Sequence, residues 1–350
     1  MQTNFFEEIK KRKDPYIIAE LGSNHNGDMG LARKLIDAAK DSGADCVKFQ
    51  SWTKNSVFSK KKYEDNFFIA DDYRDRDDFT LEEIVDAYSI SEGQLREMYD
   101  YSRGLGIECI STPFSKKEVD FLVDELDVPF IKIASMDLNN YPFLEYIAKK
   151  DKPMVLSTGL SELYEIDKAI HTIESTGNDK LVILHCVAIY PTPDENVNLN
   201  NIDTLKKLYP YPIGFSDHTL GYSIPLASVA KGVCLIEKHF TLDKDMEGWD
   251  HKVSVTPDEM RIIVEESKRI SKAMGSSRII STEDDIRKTE FRRSIVTTRN
   301  MKSGEIIKSS DLDAKRPGTG IPPDDLRYVT GRTLKNDVLE DEILNWEDLV

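Results

Sequence analysis

The sequence predicts an α/β chain: a (β/α)8 TIM barrel over residues 1–275, a linker over 276–290 and a small β-rich domain over 291–350. Three observations predict it. Eight short β-branched apolar runs alternate with longer amphipathic segments, the pattern of parallel βα units. Most of the runs are too rich in apolar residues on both alternating faces for a half-exposed antiparallel strand, which suits strands covered on both faces. No Gly-x-Gly-x-x-Gly follows the first run, which weakens an open dinucleotide-binding sheet.

The runs are Tyr16–Glu20, Asp45–Gln50, Gly106–Thr112, Pro129–Ser135, Pro153–Thr158, Lys180–Val187, Tyr211–Ser216 and Val233–Phe240. Between them, Met29–Gly43 places Leu31, Leu35, Ala38 and Ala39 on one helical face and closes on glycine. Further helices are predicted at Ser91–Leu105, Lys116–Leu126, Glu162–Glu174, Asn200–Leu208, Ser223–Lys231 and Pro257–Met274, the last with a capping box from Thr256 and Glu259. Lys54–Thr80 is charged and aperiodic and follows the second strand, where a barrel carries its active-site loops, so it is expected to form a lid. Beyond Met274 a polar connection leads to short strands in SIVTTRNM, RYVTGRTL and DEILN.

Lys and Arg number 47 against 63 Asp and Glu, a formal charge of −16 that disfavours nucleic acid and anionic membrane as partners. An anionic ligand must then be small and held locally. Cys46, Cys109, Cys186 and Cys234 are far apart without a Cys-x-x-Cys pair, and read as reduced core thiols. No secretory leader and no bilayer-length apolar stretch is visible, so the chain is placed in the cytoplasm.

A barrel presents the C-terminal ends of its strands to the catalytic mouth. Those ends carry Glu20, then Lys48 and Gln50, Ser111 and Thr112, Lys132 and Ser135, Ser157, Tyr190, Ser216 and His218, and finally Glu237 and His239. Lys48 and Lys132 sit in apolar strands, where each ammonium needs an anionic partner: a buried pair with Glu20 or Glu237, or a phosphorylated or carboxylated ligand. The second is favoured by the hydroxyls beside them. His218 and His239, from neighbouring strands, can share one divalent metal, with His25 or His251 as further candidates; oxygen donors elsewhere point to Mn2+ or Mg2+ over structural zinc. His185 is read as a core histidine and His171 as exposed.

Those pieces come in a particular order: IAELGSNHNGD (Ile18–Asp28), VKFQ, STPF, KIASMDLNNYP (Lys132–Pro142), LSTG, YPTP, NVNL, IGFSDHTLG (Ile213–Gly221), EKHFTLD (Glu237–Asp243) and WDHKVS (Trp249–Ser254). In that order and spacing the chain resembles the sialic acid synthase family, the phosphoenolpyruvate-dependent nonulosonic acid synthases. Its tail, with SGEIIKSSDL and KRPGTGIPP (Lys315–Pro323), resembles their antifreeze-like, or SAF, domain of β-clip type. The resemblance implies condensation of phosphoenolpyruvate with an N-acetylated hexosamine and water to give a nine-carbon 2-keto acid and phosphate. N-acetylmannosamine is favoured, with the diacetamido-trideoxyhexoses of legionaminic and pseudaminic acids as the alternative. It assigns Lys48, Gln50, Thr112, Lys132, Ser135, Ser157 and Ser216 to phosphoenolpyruvate, His218 and His239 to Mn2+ (Mg2+ or Co2+ as alternatives), and Asp137, Tyr190 and Asp250 to the sugar. Arg316 is expected to reach the sugar from the partner subunit of a domain-swapped homodimer, and Glu20 to act as the base. Val187 and Ala188 stand where the family usually has polar residues, and Trp249 is unusual beside Asp250. A barrel aldolase, another phosphoenolpyruvate-condensing synthase and a binding-only module are the rival readings.

Overall fold

A computed structural model describes residues 5–66 and 79–350. All eight expected strands form: β1 Tyr16–Gly22, β2 Cys46–Gln50, β3 Glu108–Thr112, β4 Ile131–Ile133, β5 Met154–Ser157, β6 Leu181–Cys186, β7 Ile213–Asp217 and β8 Leu235–His239. They pair in parallel in the order β3-β2-β1-β8-β7-β6-β5-β4, and the two end strands, β3 and β4, lie against each other, giving a nearly closed barrel. The largely apolar character of the runs has the expected cause: six of the eight strands are buried at every position, the few charged residues included.

Glu162 and Thr256 each close a capping box, with Glu165 and Glu259, at the helices Leu163–Glu174 and Pro257–Met274. In Met29–Asp41 the fully buried positions are Ala32, Leu35, Ile36 and Ala39, so the core-facing stripe is rotated from the predicted one; Leu31 and Ala38 pack only at its margin. The predicted helix from Lys116 gives way at Phe121 to a wider π turn through Glu125. Of the predicted lid, residues 67–78 lie outside the described residues; the described part contains a short helix, Lys60–Asp65.

A helix not expected from the sequence, Phe5–Lys11, packs where the strands begin. Phe5 stacks on Phe130, just before β4, at 3.9 Å between ring centroids, and meets Tyr16 of β1 edge-on at 5.3 Å. Seven residues are too few to show periodicity, and the helix is held by this contact.

The chain divides into two compact units between Gly275 and Ser276, each with its own core. In the second unit β9, Ser294–Thr297, pairs antiparallel with β10, Leu312–Lys315, around Ile295, Met301, Ile307, Val329 and Leu344. Isolated bridges such as Val296 to Ile343 extend the β character. Two expectations are corrected here. The polar connection contains a helix, Asp285–Phe291, because Asp284 caps it by accepting from the Arg287 amide at 2.6 Å. RYVTGRTL is no continuous strand, since Leu326–Val329 turns helical after the Pro322–Pro323 pair, and only Thr333 and Leu334 make bridges. No helix among the described residues is long and apolar enough to cross a membrane.

Phe5→Ala should destabilise the first unit by about 3–5 kcal/mol, the cost of an emptied aromatic core site, and leave the second unit's transition unmoved. Urea unfolding followed separately by Trp52 and Trp346 fluorescence checks this; equal transitions in variant and parent would remove the helix from the barrel's core.

Candidate active site

Strand alternation sends every second residue at the C-terminal ends into one cavity of about 500 Å3. Glu20, Lys48, Gln50, Thr112, Lys132, Ser135, Ser157, Tyr190, Ser216, His218, His239 and Asp250 all line it. Asp137 does not: it sits beside the cavity in a 3-10 turn, accepting from Asn140 at 3.1 Å, while its neighbour Met136 takes the wall position. Arg316 belongs to the second unit, its guanidinium over the Phe291 ring at 4.8 Å. His25 and His251 are buried and do not line the cavity: His25 Nδ1 accepts from the Gly27 amide while its Nε2 is buried without a hydrogen bond, and His251 bonds Thr241 and Asn26. His185 is a core residue bonded to the Val197 carbonyl, and His171 is exposed, both as expected.

Both lysines have carboxylate partners. Lys48 lies 2.6 Å from Glu20 and 3.8 Å from Glu237, and donates to Thr112 at 2.9 Å. Lys132 lies 3.7 Å from Glu237 and donates to Ser157 at 2.6 Å. Ser216 donates to Glu237 at 3.0 Å. Two ammonium groups and two carboxylates, all buried, balance one another. Burial alone would raise both carboxyl pKa values. At Glu20 burial prevails over the attraction of Lys48, and its pKa is raised; at Glu237 the pull of Lys132 and Lys48 outweighs burial and lowers it. Glu20 is therefore the carboxylate of the two better able to take a proton.

A chain of hydrogen bonds aims Glu20. Trp52 Nε1 donates to Gln50 Oε1 at 2.8 Å, and Gln50 Nε2 donates to Glu20 Oε1 at 2.9 Å. The close approach depends on Gly22, whose φ of +51° is left-handed and whose absent side chain would meet Glu20, Gln50 and Asp250 oxygens or nitrogens at 3.2–3.3 Å.

The two histidine rings stand 5.4 Å apart between centroids. His218 Nδ1 donates to the Val187 carbonyl at 2.8 Å, which leaves Nε2 for the cavity. His239 Nδ1 is buried without a hydrogen bond, and burial, together with the nearby His218 and Lys48, holds this ring neutral by lowering its pKa. His218 lies beside the Cys186 thiol; burial opposes charge on both, yet their mutual attraction raises the imidazole pKa and lowers that of the thiol. Among the described residues no group of three or more His, Cys, Asp or Glu side chains is set to hold a metal. The chain thus offers two nitrogens, with Asp250 3.8 Å from His239, and a metal here would complete its shell from water and substrate.

The far wall is aromatic. Trp52 meets Trp249 edge-on at 5.7 Å, Tyr88 lies 6.3 Å from Trp249, and Phe58, Val85 and Phe114 continue the surface. Glu237 stands at the mouth as a partner of the lysines, as the sequence offered, whereas Trp52, Cys186 and Ala188 were not assigned to the lining from sequence, although each extends a period-two row through Gln50 or Leu184. The same alternation turns the Val187 side chain away from this cavity, so of the two departures only Ala188 removes a polar group from its lining.

A family model described as the NeuB family matches residues 35–279, and one described as the SAF domain matches residues 292–350. The chain belongs to the NeuB family. It is 43% identical to an uncharacterised protein of Methanocaldococcus jannaschii over 98% of this chain and 96% of that one. It is 37% identical to the N,N'-diacetyllegionaminic acid synthase of Legionella pneumophila over 95% of this chain and 94% of that one. Among solved structures, the N-acetylneuraminic acid synthetase of Leptospira borgpetersenii superposes with a TM-score of 0.70 at 32% identity, covering 79% of this chain and 90% of that one.

Lys132→Met should weaken binding of inorganic phosphate about 10- to 100-fold by removing a charged donor. Glu237→Gln should strengthen it, because the lysines lose a competing carboxylate. Isothermal titration calorimetry of both variants checks the pair of opposite signs; a weakening in Glu237→Gln would mean that this carboxylate orients the lysines instead of competing for them.

Proposed function

We propose that the protein condenses phosphoenolpyruvate with the open-chain aldehyde of an N-acetylated amino sugar, giving a nine-carbon 2-keto acid and inorganic phosphate. The observation that carries this reading is the sequence of groups around one cavity: two buried lysines with hydroxyls, then Glu20, then two histidines, then an aromatic wall. Lys48, Lys132, Thr112, Ser135, Ser157 and Ser216 hold the phosphate and carboxylate of phosphoenolpyruvate by charge-assisted hydrogen bonds. C3 of phosphoenolpyruvate bonds to the aldehyde carbon, whose oxygen takes on the negative charge. Water adds to the electron-poor C2, Glu20 accepts one of its protons and passes it on to that oxygen, and the tetrahedral centre collapses to the ketone as the C2–O bond to phosphate breaks, the remaining hydroxyl proton leaving with the phosphate. His218 and His239 are the residues that would hold a divalent metal, Mn2+ in the first instance, whose chemistry is to polarise the aldehyde oxygen. Tyr190 and Asp250 face the sugar, and Arg316 of a partner subunit in a domain-swapped homodimer is assigned to its N-acetyl group. Asp137 acts on the sugar only through the turn that carries Met136.

For the sugar itself, a 2,4-diacetamido-2,4,6-trideoxyhexose is the better choice than the N-acetylmannosamine favoured by the sequence. Trp52, Trp249, Phe58 and Phe114 offer apolar surface suited to acetamido methyls and a 6-deoxy carbon. The naming of two 37%-identical relatives as N,N'-diacetyllegionaminic acid synthases, in Legionella pneumophila and Campylobacter jejuni, supports the same choice.

With Mn2+ present, phosphate release from phosphoenolpyruvate should be at least tenfold faster, in kcat/KM, with a diacetamido-trideoxyhexose than with N-acetylmannosamine; the reverse order would restore the sialic acid precursor. No release with either sugar from metal-loaded, folded protein would overturn the reaction. Glu20→Gln should lower kcat by about 10^2- to 10^4-fold, the range of general acid–base assistance, while phosphoenolpyruvate binds as tightly or more tightly. Retained turnover in that variant would take Glu20 out of the chemistry.

A further inference from the structure

The motifs IGFSDHTLG and EKHFTLD each contain a charged residue that the cavity does not use: Asp217 and Lys238. Both lie on the outer face of the barrel wall, between strands and helices, and their side chains are 0% exposed. They are register partners on β7 and β8, each one residue before a cavity histidine. Lys238 Nζ donates to Asp217 Oδ2 at 2.6 Å and also to the Thr219 carbonyl. Asp217 Oδ1 accepts from the Thr219 amide at 3.0 Å and Oδ2 from the Thr219 hydroxyl at 3.2 Å. The carboxylate thus closes a small Asx-type loop whose middle residue is His218, and Lys238 binds both ends of that loop from the neighbouring strand.

A buried ion pair contributes little net stability, since desolvation offsets the attraction, so its place needs another account. The strands are already paired by backbone hydrogen bonds, and Ser216 and Glu237 link them on the inner face one residue earlier. What the outer pair adds is a fixed exit of β7 around His218, while its own cation is carried by the residue next to His239. We infer that Asp217 and Lys238 are positioning residues that set the spacing of His218 and His239 from behind the barrel wall, and so the affinity for the divalent metal those rings would share. The inference rests on the metal reading above, and the experiment below separates the two.

The test compares the parent protein with the double variant Asp217→Leu/Lys238→Met, which removes both charges and keeps apolar bulk, and with Asp217→Asn, which keeps the side chain's shape and an acceptor for the Thr219 amide. Free Mn2+ is read by electron paramagnetic resonance and phosphoenolpyruvate binding by calorimetry. The expected result is a rise in the Mn2+ dissociation constant of about 10- to 100-fold in the double variant and a smaller rise in Asp217→Asn, with the phosphoenolpyruvate constant changed less than threefold in both. A purely structural role would move both ligands together. Either variant folded and binding Mn2+ as tightly as the parent overturns the inference alone; a parent that binds no Mn2+ overturns the metal reading and the inference with it.

Discussion

The balance of two lysines against two glutamates inside the barrel is the constraint on which the site depends. An ammonium moved from water into a protein interior loses several kcal/mol of solvation unless a counter-charge accompanies it, so Lys48 and Lys132 can lie within apolar strands only because Glu20 and Glu237 lie there too. Parallel strand pairing supplies the geometry. Glu20 on β1 is in register with Lys48 on β2 and with His239 on β8, so one carboxylate stands between a cation and an imidazole without any long loop being ordered. The small spread of the cluster follows from the spacing of hydrogen-bonded strands.

A carboxylate held beside lysines has two uses, and the two glutamates divide them. Glu237 faces both ammonium groups, and their pull, against its burial, holds its pKa down. Glu20 touches one lysine and is further fixed by Gln50 and, through it, Trp52, so the aromatic wall and this carboxylate form one hydrogen-bonded unit. A ligand group that contacts Trp52 would therefore bear on the orientation of Glu20 as well, which under the proposed function links recognition of the sugar to the chemistry through three residues.

The barrel was legible because a βα unit writes two periods into the sequence, and the cavity residues were legible because strand ends are where those periods stop. Part of what escaped was held by contacts distant in sequence. The Phe5–Lys11 helix exists through Phe130, more than a hundred residues away, a contact that leaves no local pattern. The Asp285–Phe291 helix did carry a local signal, the Asp284 cap, within a segment whose polarity reads first as a connection, and the Gly318 amide ties it further by donating to the Thr289 carbonyl. Asp137 was placed in the cavity by its neighbours in the motif, but a 3-10 turn has a three-residue period, and that rotation exchanged it for Met136. Glu237 was legible as a partner of the lysines, the place it takes, whereas Trp52 carried the same signal of alternation and was not assigned, because a tryptophan after a strand reads first as packing.

The formal charge of −16 gives these buried lysines a particular burden. Surface charge acts at long range and is screened beyond about 8–10 Å at physiological salt, whereas charges within the barrel act over a few ångströms in a medium that screens them poorly. An anionic ligand is therefore repelled weakly at a distance, and inside the barrel it meets lysines already paired with Glu20 and Glu237, so it binds by competing with those carboxylates at short range. That ordering favours selection by geometry at the mouth over capture by the overall field. It also explains why the cations are lysines on rigid strands and not arginines on mobile loops: a compact charge at a fixed place does its work only on a ligand that has already entered.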